Sequence, residues 1–159
     1  MQPRIEITPT RKLIGMSLET SLINNKTMQL FKTFMPRKKE VRNTLNKDVF
    51  DIRVYPNDYY ANFNPAHNFT KWAAVAVTHF EEIPHGMKSI LIEAGKYAVF
   101  TIKSADSNPS TFQYIFTEWL PNSGYILADR PHFDILGAQV QQRLPDAEEE
   151  IWIPIKLKN

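Results

Sequence analysis

The residues with the clearest chemical potential stand near the C-terminal end of the chain, in the stretch EEEIWIPIKL from Glu148 to Leu157. The alternation of a β-strand puts Ile151, Ile153, Ile155 and Leu157 on one face and Glu150, Trp152, Pro154 and Lys156 on the other. The aliphatic row belongs against a core, so Glu150 and Trp152 turn the opposite way. A second tryptophan stretch, KWAAVAV from Lys71, repeats the pattern. Ala73, Val75 and Val77 form its aliphatic row, and Trp72, Ala74, Ala76 and Thr78 share the reverse face. Aromatic walls, small residues between them and one carboxylate make a pocket for a flat organic molecule. The alternative is that both tryptophans pack beneath long loops, with Glu150 part of the solvated run Glu148-Glu149-Glu150. The pattern leaves both open. Trp119 differs, because it falls on the apolar stripe of a helix and belongs to the core, with Glu118 beside it at the surface.

Other chemistry is sparse. The four histidines are His67, His79, His85 and His132. His79 and Glu81 share a strand face within HFEEIPH, but no metal-ligand spacing is present, so neither a metal site nor a cofactor is expected. The five glycines are scattered and form no phosphate-binding loop, and no Gly-x-Ser-x-Gly elbow occurs. The chain has no cysteine, which removes disulfides, thiolate ligands and a thiol nucleophile together. The basic group Arg37, Lys38, Lys39 and Arg42 lacks interleaved aromatics and suits a solvated helix end. With a net charge of only +2, direct nucleic-acid binding is not expected. No run approaches membrane-spanning length, and MQPRIEITPTRK has no signal core, so a cytoplasmic protein without membrane contact is expected.

The elements that must position Glu150 and the tryptophans come in two sets. FKTFMP from Phe31 lies over FTEWLP from Phe116 without a gap. Before each copy stands a strand, KLIGMSL from Lys12 and KYAVFTI from Lys96. After each comes Phe-Asp-Ile, at Phe50 and at Phe133, and each set closes on its tryptophan strand. The spacings from first to second copy are 84, 85, 83 and 80 residues, a slow drift that loop lengths explain. Internal repeats of this kind decide architecture. Asn108 or Ser107 suits an N-cap with Pro109 in the first turn, and Phe112, Ile115, Phe116, Trp119 and Leu120 make one helical face that Pro121 and Gly124 would end. In the first set Met28, Leu30, Phe31, Phe34 and Met35 make the stripe, interrupted by Pro36. MKSILIEAGKYAVFTIK carries two strands hinged at Ala94-Gly95. The long segment YPNDYYANFNPAHNFTK is too aromatic for a plain connector.

The expected fold is therefore α+β: a single domain over residues 1–159, built of duplicated βαββ units at about 5–80 and 88–157. The units merge into one antiparallel sheet with two helices on one face and pseudo-twofold symmetry. Trp72 and Trp152 would take related positions near the dyad.

The phrases EWLPNSGY, RPHFDIL and EEEIWIPIK, in that order, resemble the GyrI-like, or AraC-type effector-binding, domain family over nearly the whole chain. The resemblance implies a groove between the halves that binds small aromatic or cationic molecules, as multidrug-binding sensors of this family do, with an acid on the last strand. Glu150 is the residue that matches, and Trp152, Trp72, Tyr97 and Tyr114 join it as expected ligand contacts. The first function implied is sensing or sequestering an amphipathic compound. With only about ten residues before the first strand, any role in transcription regulation would run through a DNA-binding partner. The second is a hydrolase opening a strained, cyclopropane-type ring, with Glu150 as the catalytic base for water and Tyr97 or Tyr114 polarising the leaving oxygen. The third is inhibition of gyrase by direct contact.

Overall fold

Nine strands and two main helices account for the chain in the computed structural model, which describes residues 1–159. The strands are β1 (Arg4–Thr8), β2 (Arg11–Thr20), β3 (Val49–Val54), β4 (Phe69–Ala76), β5 (Lys88–Ile92), β6 (Gly95–Lys103), β7 (Tyr125–Leu127), β8 (His132–Leu136) and β9 (Glu148–Leu157). They form one antiparallel sheet in the order β1-β6-β9-β8-β3-β4-β2-β5, with β7 added beside β9.

The two Phe-Asp-Ile stretches meet at the middle of this sheet. Asp51 stands opposite Asp134, with Phe50 opposite Ile135 and Ile52 opposite Phe133. From that central pair the order runs outward as β3-β4-β2-β5 on one side and β8-β9-β6-β1 on the other. The same sequence of element types lies on both sides. The two strands hinged at Ala94-Gly95 do form, but they do not pair with each other. β5 pairs with β2, and β6 pairs with β1 and β9. Each half thus receives its outermost strand from across the chain.

Both helices cover the same face. Helix α1 (Thr27–Phe34) buries Leu30 and Phe34 against Ile14, Val49, Ala73 and Val75. Met28, placed on the stripe by periodicity, is instead 79% exposed in the first turn. Pro36 does not stop the chain from coiling but tightens it into a 3-10 segment, Met35–Glu40. Helix α2 (Pro109–Tyr114) starts at Asn108, whose side chain accepts from the Ser110 amide. It passes into a π-helical turn over Ile115–Trp119 and a last turn over Leu120–Asn122, so Pro121 lies inside the helix rather than ending it. The widened turn relieves the clash between the proline ring and the carbonyl one turn back. Ile115 is fully buried against Ile151, Ile153 and Phe100, while Phe112, Phe116 and Trp119 pack from the side.

Gly15, in the middle of β2, is required by backbone proximity. A Cβ there would lie 2.0 Å from the Ala73 carbonyl oxygen and 2.6 Å from Ala74 Cα. No helix of the chain is long and apolar enough to cross a membrane.

Candidate functional site

The face without helices is the one that strand alternation assigns to the tryptophans. Its buried residues, among them Leu13, Phe50, Trp72, Tyr97, Phe133 and Trp152, come from both halves and include none from α1 or α2. Phe133 and Trp152 stack with centroids 5.2 Å apart and an angle of 16°. Tyr97 meets both, at 5.2 Å and 5.8 Å, and Phe50 continues the row at 5.6 Å from Phe133. Three strand spacings separate Trp72 from Trp152, roughly 14 Å at the usual inter-strand distance. Glu150, Trp152, Trp72 and Tyr97 therefore share one face.

Tyr114 does not join them. It lies on α2 with the helix-side cluster, and its hydroxyl donates to the Met1 carbonyl, 3.1 Å away. The sheet stands between it and Glu150, because odd and even positions of β9 face opposite ways. Tyr97 is on the right face but has no exposure. Its hydroxyl donates to the Pro131 carbonyl at 2.8 Å, and burial pushes its ionisation up to about 12. The aromatic walls and the carboxylate expected from sequence are both closed over by neighbouring groups. Trp152 is 3% exposed, and Glu150 has both oxygens engaged, one by Arg4 Nη2 at 2.7 Å and the other by Trp152 Nε1 at 3.1 Å.

What covers the rings is a set of cations that the pattern of tryptophans does not reveal. The Arg11 guanidinium lies 5.0 Å from the Trp152 ring, 5.4 Å from Phe133 and 5.6 Å from Phe50. Arg4 lies 5.9 Å from the same tryptophan, and Lys88 lies 5.6 Å from Trp72. Arg4 and Lys88 are 84 residues apart, the same spacing that relates Lys12 to Lys96, and each comes from an exchanged outer strand. That spacing is the signal in the sequence that could have found them. Arg11 has no such counterpart, since Gly95 stands at the matching place.

A second polar cluster lies on the helix face, at the central strand pair. Arg53 Nη2 donates to Asp134 at 2.9 Å, and Nη1 lies 3.4 Å from Asp51. Lys71 is 3.3 Å from the other oxygen of Asp51. Tyr55, Tyr60 and Phe69 from the aromatic loop and its following strand cover this cluster, and Tyr60 stacks on Phe116 at 5.0 Å. This lid accounts for the composition of the Tyr55–Phe69 segment. Burial raises the Asp134 carboxyl to about 6, with Arg53 opposing and Asp51 adding to the rise. Burial, reinforced by the Arg53 charge, drives His132 well below the ordinary imidazole value, so it is neutral. A cavity of about 210 Å³ opens beside this lid between Tyr55, Tyr60, Arg130 and His132.

Comparison with known proteins agrees with this architecture. The profile of the GyrI-like small molecule binding domain matches residues 1–156. The transcriptional regulator BrlR of Pseudomonas aeruginosa is 27% identical over 158 residues, which cover 98% of this chain and 56% of that protein. The chain thus spans about half the length of this curated relative. EcmrR, solved in a complex with DNA, superposes with a TM-score of 0.73 at 13% identity over 99% of this chain and 58% of its own. SAV2435, solved bound to tetraphenylphosphonium, superposes with a TM-score of 0.66 at 16% identity over 98% of this chain and 94% of its own.

Proposed function

This chain belongs to the GyrI-like small molecule binding domain family, and on that footing we propose that it senses or sequesters a small aromatic or cationic amphipathic compound on the helix-free face of its sheet. The observation that carries this is the gathering of Trp72, Tyr97, Phe133 and Trp152 on a face against which no helix packs, with charged residues directly above the rings. Buried aromatic surface under a thin polar cover is suited to a flat ligand that slides between the two. The bound tetraphenylphosphonium of SAV2435 and the regulatory role of BrlR agree with such a module, whose occupancy a DNA-binding partner would read.

The ring-opening hydrolase is less well supported. It needs a carboxylate free to take a proton from water, and Glu150 is held by Arg4 and Trp152. Titration of the protein with a panel of neutral, cationic and anionic aromatic compounds, followed by tryptophan emission and by chromatography of the compound, separates the two. A sensor gives saturable quenching with the compound recovered intact. Quenching that survives in the Trp72→Phe/Trp152→Phe double variant would come from Trp119 on the helix side and would refute this site.

A further inference from the structure

On the helix-free face the charges are unevenly matched, and that decides what a ligand must bring. Arg4 is satisfied twice, by Glu6 at 2.6 Å and by Glu150 at 2.7 Å, and reaches Thr101 at 3.3 Å. Arg11 has no carboxylate within 4.0 Å; its one hydrogen bond runs from Nε to the Thr8 hydroxyl at 3.0 Å. Its two terminal nitrogens have no protein acceptor and are not sealed from solvent. Burial lowers its hold on the proton, and only the distant charges of Tyr97, Glu150, Glu6 and Asp48 counter this. Asp48 is the remaining carboxylate nearby, half-buried and likewise without a cation in contact.

A guanidinium lying over three aromatic rings already holds the place that a cationic ligand would take by attraction to the ring faces. An incoming cation must expel it or sit beside a like charge. An incoming carboxylate meets the opposite situation: a planar fork of N–H donors, fixed by the rings beneath it and unpaired. Resting on the small-molecule site proposed above, and narrowing its aromatic or cationic ligand to an aromatic one that is not a cation, we infer that the ligand of this face carries a carboxylate on an aromatic or apolar body and that Arg11 grips it. The body of the ligand would lie along the row of rings.

The test is calorimetric titration of the full chain with two probes that share one ring system, naphthalene-2-carboxylate and naphthalene-2-methylammonium. The carboxylate should bind at least about tenfold more tightly to the wild type, as one charge-assisted contact provides. Arg11→Gln should weaken the carboxylate by about tenfold or more and leave the ammonium probe unchanged or tighter. Arg11→Lys keeps the charge but loses the planar fork and should fall between the two. Thermal unfolding of both variants establishes that they are folded. Ammonium binding as tight as that of the carboxylate, whether at Asp48 or in the place of Arg11, overturns the inference. So does carboxylate binding that ignores Arg11→Gln. In either case the site itself survives if Trp72→Phe and Trp152→Phe change the binding, whereas failure of both charged probes and of neutral naphthalene-2-methanol would remove the site as well.

Discussion

Asp134 and His132 should impose opposite pH dependences on stability, and removing either should expose the other. Asp134 is 6% exposed and held near 6 by burial, above the ordinary carboxylate value of about 3.9. Between pH 4 and 6 the folded protein keeps its proton while the unfolded chain has lost it. Stability from this group is thus fully present below about pH 4 and falls as pH rises, by about 1.4 kcal/mol per unit and roughly 3 kcal/mol in total. His132 is 4% exposed and neutral when folded, but binds a proton near pH 6.5 when unfolded. Its contribution is present above about pH 6.5 and falls as pH drops, with a similar slope. In the wild type the two oppose each other below about pH 6. In His132→Gln, stability measured by urea titration should fall as pH rises through that window. In Asp134→Asn, which keeps the shape of the protonated acid, it should climb instead. Background carboxylates are common to all three proteins, so the differences between curves carry the signal. Three parallel curves would mean that the cluster around Arg53 holds Asp134 ionised and is open to water, and would refute this account.

Packing should respond unequally to substitutions in β2 and α1. Gly15→Ala should destabilise by about 3 kcal/mol or more, because the clash is with the backbone of β4 and not with a flexible side chain; a loss under about 1 kcal/mol in denaturant titrations would mean that the strands yield easily. Phe34→Ala should cost about 3–5 kcal/mol, since Phe34 has no exposure, whereas Met28→Ala, on the same helix but exposed, should cost about 0.5 kcal/mol or less. Similar losses at the two positions would show that α1 is rotated from the orientation described.

Much of the architecture was legible because it depends on local rules. Alternation separated Trp152 from Ile151 and Ile153, and that division holds in the packed structure. Residue type offered Asn108 or Ser107 as the cap, and Asn108 takes that place. The repeated Phe-Asp-Ile stretches marked the strands that meet at the centre of the sheet, and the matched order on either side is what a duplicated unit would produce. What could not be read were features set by distant partners. Met28 fits the stripe of α1, but no strand reaches it. Pro121 ends most helices, yet here an upstream π turn makes room for it. Nothing in the residues around Arg11 marks it, because its rings come from β3, β8 and β9, far along the chain. Alternation turns Glu150 toward the face of Trp152, but its pairing depends on Arg4, 146 residues earlier.

The exchange of outer strands also bears on how the chain is made. Arg4 in β1 must find Val99 in β6, and Arg11 in β2 must find Ile92 in β5. As the polypeptide grows, β1 is made well before β6 and has no strand to pair with until β6 has left the ribosome. The first half waits less long, since β2 keeps an open edge only until β5 appears. Contacts of such wide sequence separation form slowly and leave strand edges unpaired in the interval. The half made of β2, β3, β4 and β5 is contiguous in the chain and can close once β5 appears, whereas the half that includes β1 waits for β6; a fragment ending after β4 would carry one strand without a partner and one edge without a cover.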